Sequence, residues 1–477
     1  MDLLKSYIDG AWTLPLTSAE PLDVINPATE IVVARVAMGG ANDVDAAVTA
    51  ARRAFASWGF STLEERIALV RKLVVVFERR YPEMVAAIST EMGAPYDLSN
   101  ASQAACGPGH LNATIDAALT LQWERPISHG EANLVLEPIG VAALITPWNW
   151  PINQLAAKVG PALVAGCTVV LKPSEVAPLS AQLFAEFVDE AGFPPGVFNM
   201  VHGTGPTVGA AMSAHPEVDM VSFTGSTRAG IQVAKTAADT VKRVSQELGG
   251  KSANIVFADA DLEAAVERGV RHCFGNTGQS CNAPTRMLVE ASVYDHAVEI
   301  ATRVAATVTV GDPMQPGPHL GPVVNRSQFE KIQRLIQTGI DEGAQVVAGG
   351  VGKPPGFETG YYVKPTIFAG VNNQMTIARE EIFGPVLVMI PFENRDQAIA
   401  IANDRPFGLA AYVQTEDRAK AQYVARRLRA GSVHLNGASQ DYDAPFGGYK
   451  QSGNGREWGG FGLHDYLEYK SINGFFA

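Results

Sequence analysis

The stretch Phe274 to Met287, FGNTGQSCNAPTRM, sets Cys281 among glycine, amide and small polar residues. A structural cysteine behaves as a small hydrophobe and keeps apolar company. This one lies in loop-like sequence, where backbone can approach a ligand. The thiol therefore reads either as a nucleophile or as an inert group in a buried turn. In ITPWNWP, Ile145 to Pro151, Asn149 follows an apolar run. In open α/β sheets that is where ligands bind, beyond the carboxyl end of a strand. Its amide can donate to a reacting oxygen, or the segment is an Asn turn between two packing tryptophans. Glu247 in ELGGKS would serve as a general base if partly desolvated, and as a helix-ending surface group if not.

Further segments suit a nucleotide. LKPSE, Leu171 to Glu175, carries Lys172 and Glu175, which face a ribose or form a solvated pair. In FTGSTRAG, Gly225 and Ser226 stand where a helix begins, and helix-start N–H groups hold pyrophosphate. GTGPTVG, Gly203 to Gly209, has the wrong spacing for GxGxxG and is not given the phosphates. EEIFGPV, Glu380 to Val386, sets a carboxylate and an aromatic beside a Gly-Pro turn.

These residues need a frame. VAALIT, CTVVLK, VDMVSF and SANIVF are nearly continuous apolar runs, as expected of parallel strands buried on both faces. Helical patterns alternate with them, among them SAQLFAEFVDEAG, closed by Gly192 and Pro194. The alternation predicts a doubly wound α/β fold. Ser61 and Glu64 form a capping-box pattern, and apolar residues at helical spacing predict amphipathic helices over 61–92. A second alternating region after Lys251 holds strand candidates TRMLVE, VLVMIPF, LAAYVQT and GSVHLN, with a helix over Asp417 to Arg429. The closing YLEYKSINGFFA reads as an edge strand that invites a second subunit.

At 477 residues the chain exceeds one ordinary core, and 47% hydrophobic with 18% charged residues is a globular composition. The net charge of −12, with no long basic run, argues against nucleic acid and anionic membrane as partners. No apolar stretch has membrane-spanning length. The start, MDLLKSYIDGAW, is a poor signal peptide, which makes the cytoplasm the expected location. Cys106, Cys167, Cys273 and Cys281 lack metal or CxxC spacing, so reduced thiols and no metal are expected.

Taken in order, from YIDGAW to PFGGYKQSGNGRE, these motifs resemble the NAD(P)-dependent aldehyde dehydrogenase superfamily over nearly the whole chain. The 34 residues from Glu247 to Cys281 match that family's spacing of base and nucleophile. The resemblance implies a Rossmann-like cofactor domain (1–117 and 139–249) and an α/β catalytic domain (250–450). It also implies a small β oligomerisation arm (118–138 and 458–477) that builds a homodimer or homotetramer.

By the same resemblance Cys281 attacks an aldehyde, and Asn149 with the Cys281 N–H forms the oxyanion hole. Glu247 activates water against the thioester, and Lys158 supports proton traffic. The resemblance places NAD on Ile145, Thr146, Trp148, Lys172, Glu175, Gly205, Gly225, Ser226, Leu248, Glu381 and Phe383. Glu175 would repel a 2′-phosphate, which disfavours NADP. Trp150, Leu155, Ala157, Ser280, Asn282 and Tyr442 are expected to line the substrate pocket. The small Ala157 makes it roomier and disfavours succinate semialdehyde. Tyr442 with Asp441 and Asp443 either favours a cationic aldehyde such as betaine aldehyde or is a solvated loop. A coenzyme A-acylating enzyme, whose branch usually lacks the glutamate, and a non-catalytic protein of the same fold are the rivals.

Overall fold

The computed structural model describes residues 2–16, 19–127 and 132–474. Residues 128–131 and 475–477, part of the expected arm, lie outside them. The expected α/β alternation folds into two large sheets. An eight-stranded sheet has five parallel strands at its centre: Val141–Ile145, Thr168–Lys172, Phe198–Met200, Met220–Thr224 and Arg243–Glu247. Val141–Ile145 pairs with Thr168–Lys172 on one side and Met220–Thr224 on the other. The chain thus leaves this strand in one direction and later returns to its other edge. Such a reversal opens a crevice at the strands' carboxyl ends.

The second sheet has seven strands, with Ala253–Val256 and Arg286–Glu290 paired in parallel near its middle. Val386–Phe392, Ala410–Gln414 and Ser432–Leu435 extend it, matching the apolar runs of the sequence. A separate three-stranded sheet joins Glu124–Pro126, Ala132–Pro138 and Leu467–Asn473, the last at its edge. No helix among the described residues is long and apolar enough to cross a membrane.

Two local expectations shift. The helix Leu63–Arg79 is capped by Thr62 with Glu65, one residue later than the Ser61 and Glu64 pattern. The Thr62 hydroxyl accepts from Glu65 N–H at 3.2 Å, while Glu65 returns to Thr62 N–H at 2.9 Å. Ser61 instead donates to the Trp58 carbonyl. Glu247 ends a strand and not a helix. That difference matters, because a strand end in a parallel sheet points into the crevice.

Candidate active site

Four loops at strand or helix ends converge. Asn149 lies between Val141–Ile145 and the helix Pro151–Ala165, whose Pro at the first position suits a helix start. Gly225 and Ser226 follow Met220–Thr224, and the Ser226 hydroxyl caps Thr227–Ala237 by accepting from Ala229 N–H. The Gly225 N–H is bonded to the Glu247 carbonyl at 3.0 Å, so it is not a free donor for a phosphate.

Cys281 follows the helix Leu262–Phe274 and a short turn in which Asn276, Thr277 and Gly278 have φ of 51°, 54° and 72°. Three successive left-handed residues are costly for side chains other than glycine. A polar network holds them. Gln103 and Asn276 both donate to the Asn149 carbonyl, at 3.1 and 2.9 Å. Asn149 Nδ2 in turn donates to the Gln279 carbonyl at 3.0 Å. That bond leaves one Nδ2 hydrogen for a substrate oxygen.

The loops meet backbone to backbone. A Cβ on Gly278 would stand 2.0 Å from the Gly384 carbonyl, and one on Gly250 would stand 2.3 Å from that of Cys281. Only glycine permits either approach.

A cavity of about 160 Å³ opens between these loops. Cys281 and Asn149 line it together with Trp148, Gly225, Ser226, Leu248, Glu381 and Phe383. The structure thus gathers eight of the expected residues around one space. Phe383, at φ 63°, sets its ring edge-on to Trp148 at 5.5 Å. Glu381 accepts from Gly250 N–H at 2.9 Å, and Lys331 Nζ donates to its carbonyl at 2.8 Å. Ile145 and Gly205 line a neighbouring cleft of about 620 Å³ with Phe223. Thr146 is buried and bonds through its N–H to the Lys172 carbonyl. Lys172 is buried and pairs with the partly exposed Glu175 at 3.0 Å.

Glu247 is 2% exposed, and among the described residues its carboxylate oxygens have no close hydrogen-bond partner, with the Gly448 N–H the backbone donor turned toward them. Burial raises its pKa well above the usual carboxylate range; Glu457 pushes it further and Lys158 opposes. Burial also pushes the Cys281 thiol well up, with Glu247 and Glu381 adding to the effect. Lys158 is fully buried, forms an ion pair with Glu457 and donates to Ser222 Oγ at 3.0 Å.

The pocket residues separate. Trp150 Nε1 donates to Ser280 Oγ at 2.8 Å, which places both beside Cys281. Leu155 corrects an expectation: it is 1% exposed and packs in the core with Phe77 and Leu111. One helical step of about 100° explains the difference, because Gln154 lines the cavity in its place. Ala157 is buried within the same helix. Asn282 lines another cavity, of about 690 Å³, and accepts from Tyr412 through its carbonyl. Tyr442 packs on His110 and Trp458, and its hydroxyl reaches Cys106.

Sequence reading missed Gln103, Gln154, Asn276, Gln279, Gln328, Lys331 and Glu457. Of these Asn276, Gln279 and Glu457 lay within quoted motifs, and none carried a sign of its partner.

A model described as the aldehyde dehydrogenase family matches residues 13–472. The chain is 53% identical over 475 residues to 3-succinoylsemialdehyde-pyridine dehydrogenase of a Pseudomonas species, covering 99% of each. Aldehyde dehydrogenase from Bartonella henselae has the same fold, with a TM-score of 0.98, 50% identity and 99% of each chain covered. So does a cysteine-to-alanine mutant of aldehyde dehydrogenase C from Pseudomonas syringae, complexed with NAD+ and octanal. There the TM-score is 0.98 at 52% identity, with 99% of this chain and 97% of that one covered.

The fold and the converging loops are those of an α/β oxidoreductase. The chain belongs to the aldehyde dehydrogenase family, and it is an aldehyde dehydrogenase.

Proposed function

We propose that this enzyme oxidises an aldehyde to its carboxylic acid with NAD, through a covalent thioester on Cys281. The observation that carries the reading is the shared cavity of Cys281 and Asn149, beside the buried Glu247, whose oxygens have no close hydrogen-bond partner.

The Cys281 thiolate, its proton released to solvent, attacks the aldehyde carbon. The new oxyanion receives the second Asn149 Nδ2 hydrogen and the Cys281 N–H; one such donor is worth about 3–4 kcal/mol. NAD, when bound, supplies the hydride acceptor for this chemistry. Glu247 then takes a proton from water as it attacks the thioester; the C–S bond breaks, the Cys281 thiolate leaves and the acid is released. Lys158, paired with Glu457, supplies a buried path for that proton. Hydrolysis by Glu247 disfavours the coenzyme A-acylating alternative.

The residues present suit a dinucleotide. The cleft at Ile145, Gly205 and Phe223 takes an adenosine, with the Lys172–Glu175 pair at its ribose. The Glu175 carboxylate repels a 2′-phosphate, which favours NAD over NADP. Trp148, Ser226, Glu381 and Phe383 hold the other half. The eight-stranded sheet is the cofactor domain and the seven-stranded sheet the catalytic one. The edge strand Leu467–Asn473, with Tyr469 58% exposed, pairs subunits. The four unpaired cysteines suit a cytoplasmic enzyme.

The test is NADH formation at 340 nm on an aldehyde panel, for wild type and Cys281→Ala, with and without coenzyme A. Turnover without coenzyme A that vanishes in the variant supports the reading. Turnover only with coenzyme A overturns it.

A further inference from the structure

Asn149 is held at both ends by a closed ring of amides. Asn276 Nδ2 donates to the Asn149 carbonyl at 2.9 Å and to the Gln279 carbonyl at 3.2 Å. Asn149 Nδ2 donates to that same Gln279 carbonyl at 3.0 Å, which closes the ring. A backbone carbonyl only accepts, so each side-chain amide facing one must present its nitrogen. The ring uses one Nδ2 hydrogen of Asn149 and leaves the other free of it.

Gln103 ties this ring from outside. Its Nε2 stands 3.1 Å from the Asn149 carbonyl and 3.1 Å from Asn276 Oδ1. The two hydrogens of the amide match these two oxygens, and Met92 Sδ at 3.4 Å is a weaker third contact. The first bond fills the remaining lone pair of the Asn149 carbonyl. The second sets which way the Asn276 amide lies. With Oδ1 engaged by Gln103, the nitrogen is the end left to face the two carbonyls. Gln103 is fully buried, yet its own Oε1 has no partner. A buried acceptor left unpaired costs stability, so the side chain is kept for its donors.

Local structure aims it. Gln103 closes a π turn, Ser99–Gln103, in which the Ala104 N–H reaches the Ser99 carbonyl five residues back at 2.9 Å. Such a turn re-aims the side chains of a helix and recurs at functional sites. The nucleophile loop has bonds of its own. Gln279 N–H and Nε2 both donate to the Asn276 carbonyl, at 3.1 and 3.2 Å, and Thr277 Oγ1 donates to the Gly321 carbonyl at 3.1 Å.

We propose that Gln103 is a positioning residue that acts through Asn149: its two N–H donors lock the amide ring and so aim the free Asn149 Nδ2 hydrogen at the oxygen of the reacting aldehyde. This rests on Asn149 serving as the oxyanion donor. Without Gln103 the Asn276 amide is free to turn over, which sets Oδ1 against the two carbonyls. The Asn149 amide then loses its fixed direction.

The experiment reads the first-turnover rate of NADH formation at 340 nm, with saturating NAD and aldehyde. It compares wild type, Gln103→Met, Asn149→Ala and the double variant. Met has the length of Gln and donates nothing. Gln103→Met should slow the first turnover about tenfold, a fraction of the loss in Asn149→Ala. KM for the aldehyde and NAD affinity by fluorescence titration should stay within about twofold, since the interaction acts in the transition state. In the Asn149→Ala background the same change should cost less than about twofold, because the residue it acts through is gone.

A wild-type rate in Gln103→Met overturns the proposal, and so does a tenfold loss repeated in the double variant. A fall in Tm with rate and NAD affinity lost together would make Gln103 structural and overturn it too. Where Gln103→Met does not fold, Gln103→Glu keeps the shape but offers at most one donor in place of two. It should also be slowed, and wild-type speed in it overturns the proposal. If Asn149→Ala itself leaves the rate unchanged, the reading beneath fails as well; if it slows the rate and the two losses multiply, only the present proposal fails.

Discussion

Glu91 and Glu247 are both buried almost completely, and they are treated in opposite ways. Glu91 lies under the start of the helix Pro178–Ala191, where its two oxygens accept from Leu179 and Ser180 N–H at 2.5 and 3.1 Å. Those are orphan donors of a helix terminus, and a carboxylate there satisfies them and complements the helix dipole. Glu247 stands at a strand end with neither oxygen in a close hydrogen bond. Burial raises both groups, Glu91 to about 7 against its hydrogen bonds, and Glu247 well above the carboxylate range. The first carboxylate is used up by the fold. The second is left with its capacity for a proton intact, which is what a general base needs.

The contrast can be broken in four places. Glu247→Gln should lower steady-state kcat by about 10²–10⁴-fold, with Tm nearly unchanged, since the amide keeps an acceptor for the Gly448 N–H; a large drop in Tm with activity kept would make the two glutamates alike. Asn149→Ala should lower kcat by about 10²–10³-fold, because the donor acts on charge that develops in the transition state. A rise in KM alone would remove it from that role.

Glu91→Ala should cost about 2 kcal/mol by orphaning two N–H groups, read by denaturant unfolding near pH 5, where most of the Glu91 contribution is still present, while the folded fraction keeps its kcat. Its titration adds a sign. The native state holds this proton to about pH 7 and the unfolded chain only to about 4.3. The contribution of Glu91 to stability is therefore full in acid and is lost as pH rises through that window. Glu91→Ala should flatten that fall.

The smallest effect is on Cys281 itself. Its thiolate forms only at high pH, so alkylation by iodoacetamide should increase well into the alkaline range. Glu247→Gln removes a carboxylate that raises the thiol, so the midpoint should move to lower pH. An unchanged midpoint would uncouple the two groups.

Much of this was legible in the sequence for physical reasons. Buried parallel strands must be apolar on both faces, so VAALIT and SANIVF announced themselves, and turns that approach a ligand must be small, which exposed the Cys281 loop. What failed was whatever depends on a neighbour far along the chain. The pairing of Lys158 with Glu457, 299 residues apart, has no local pattern. Nor does the Gln103 amide that holds the Asn149 carbonyl. Leu155 and Gln154 are adjacent, and periodicity alone does not say which faces a cavity not yet located. The capping box slipped by one because Ser61-Thr62-Leu63-Glu64-Glu65 contains the pattern twice. Glu91 gave no signal at all, since a helix start 88 residues away supplies its partners.

The most direct test of the central claim is a pre-steady-state burst of NADH at 340 nm in Glu247→Gln, with Cys281→Ala alongside. If Cys281 forms the thioester and Glu247 drives its hydrolysis, Glu247→Gln should release about one NADH per subunit and then stall, and Cys281→Ala should release none. Continuous turnover of Glu247→Gln at the wild-type rate would contradict the account.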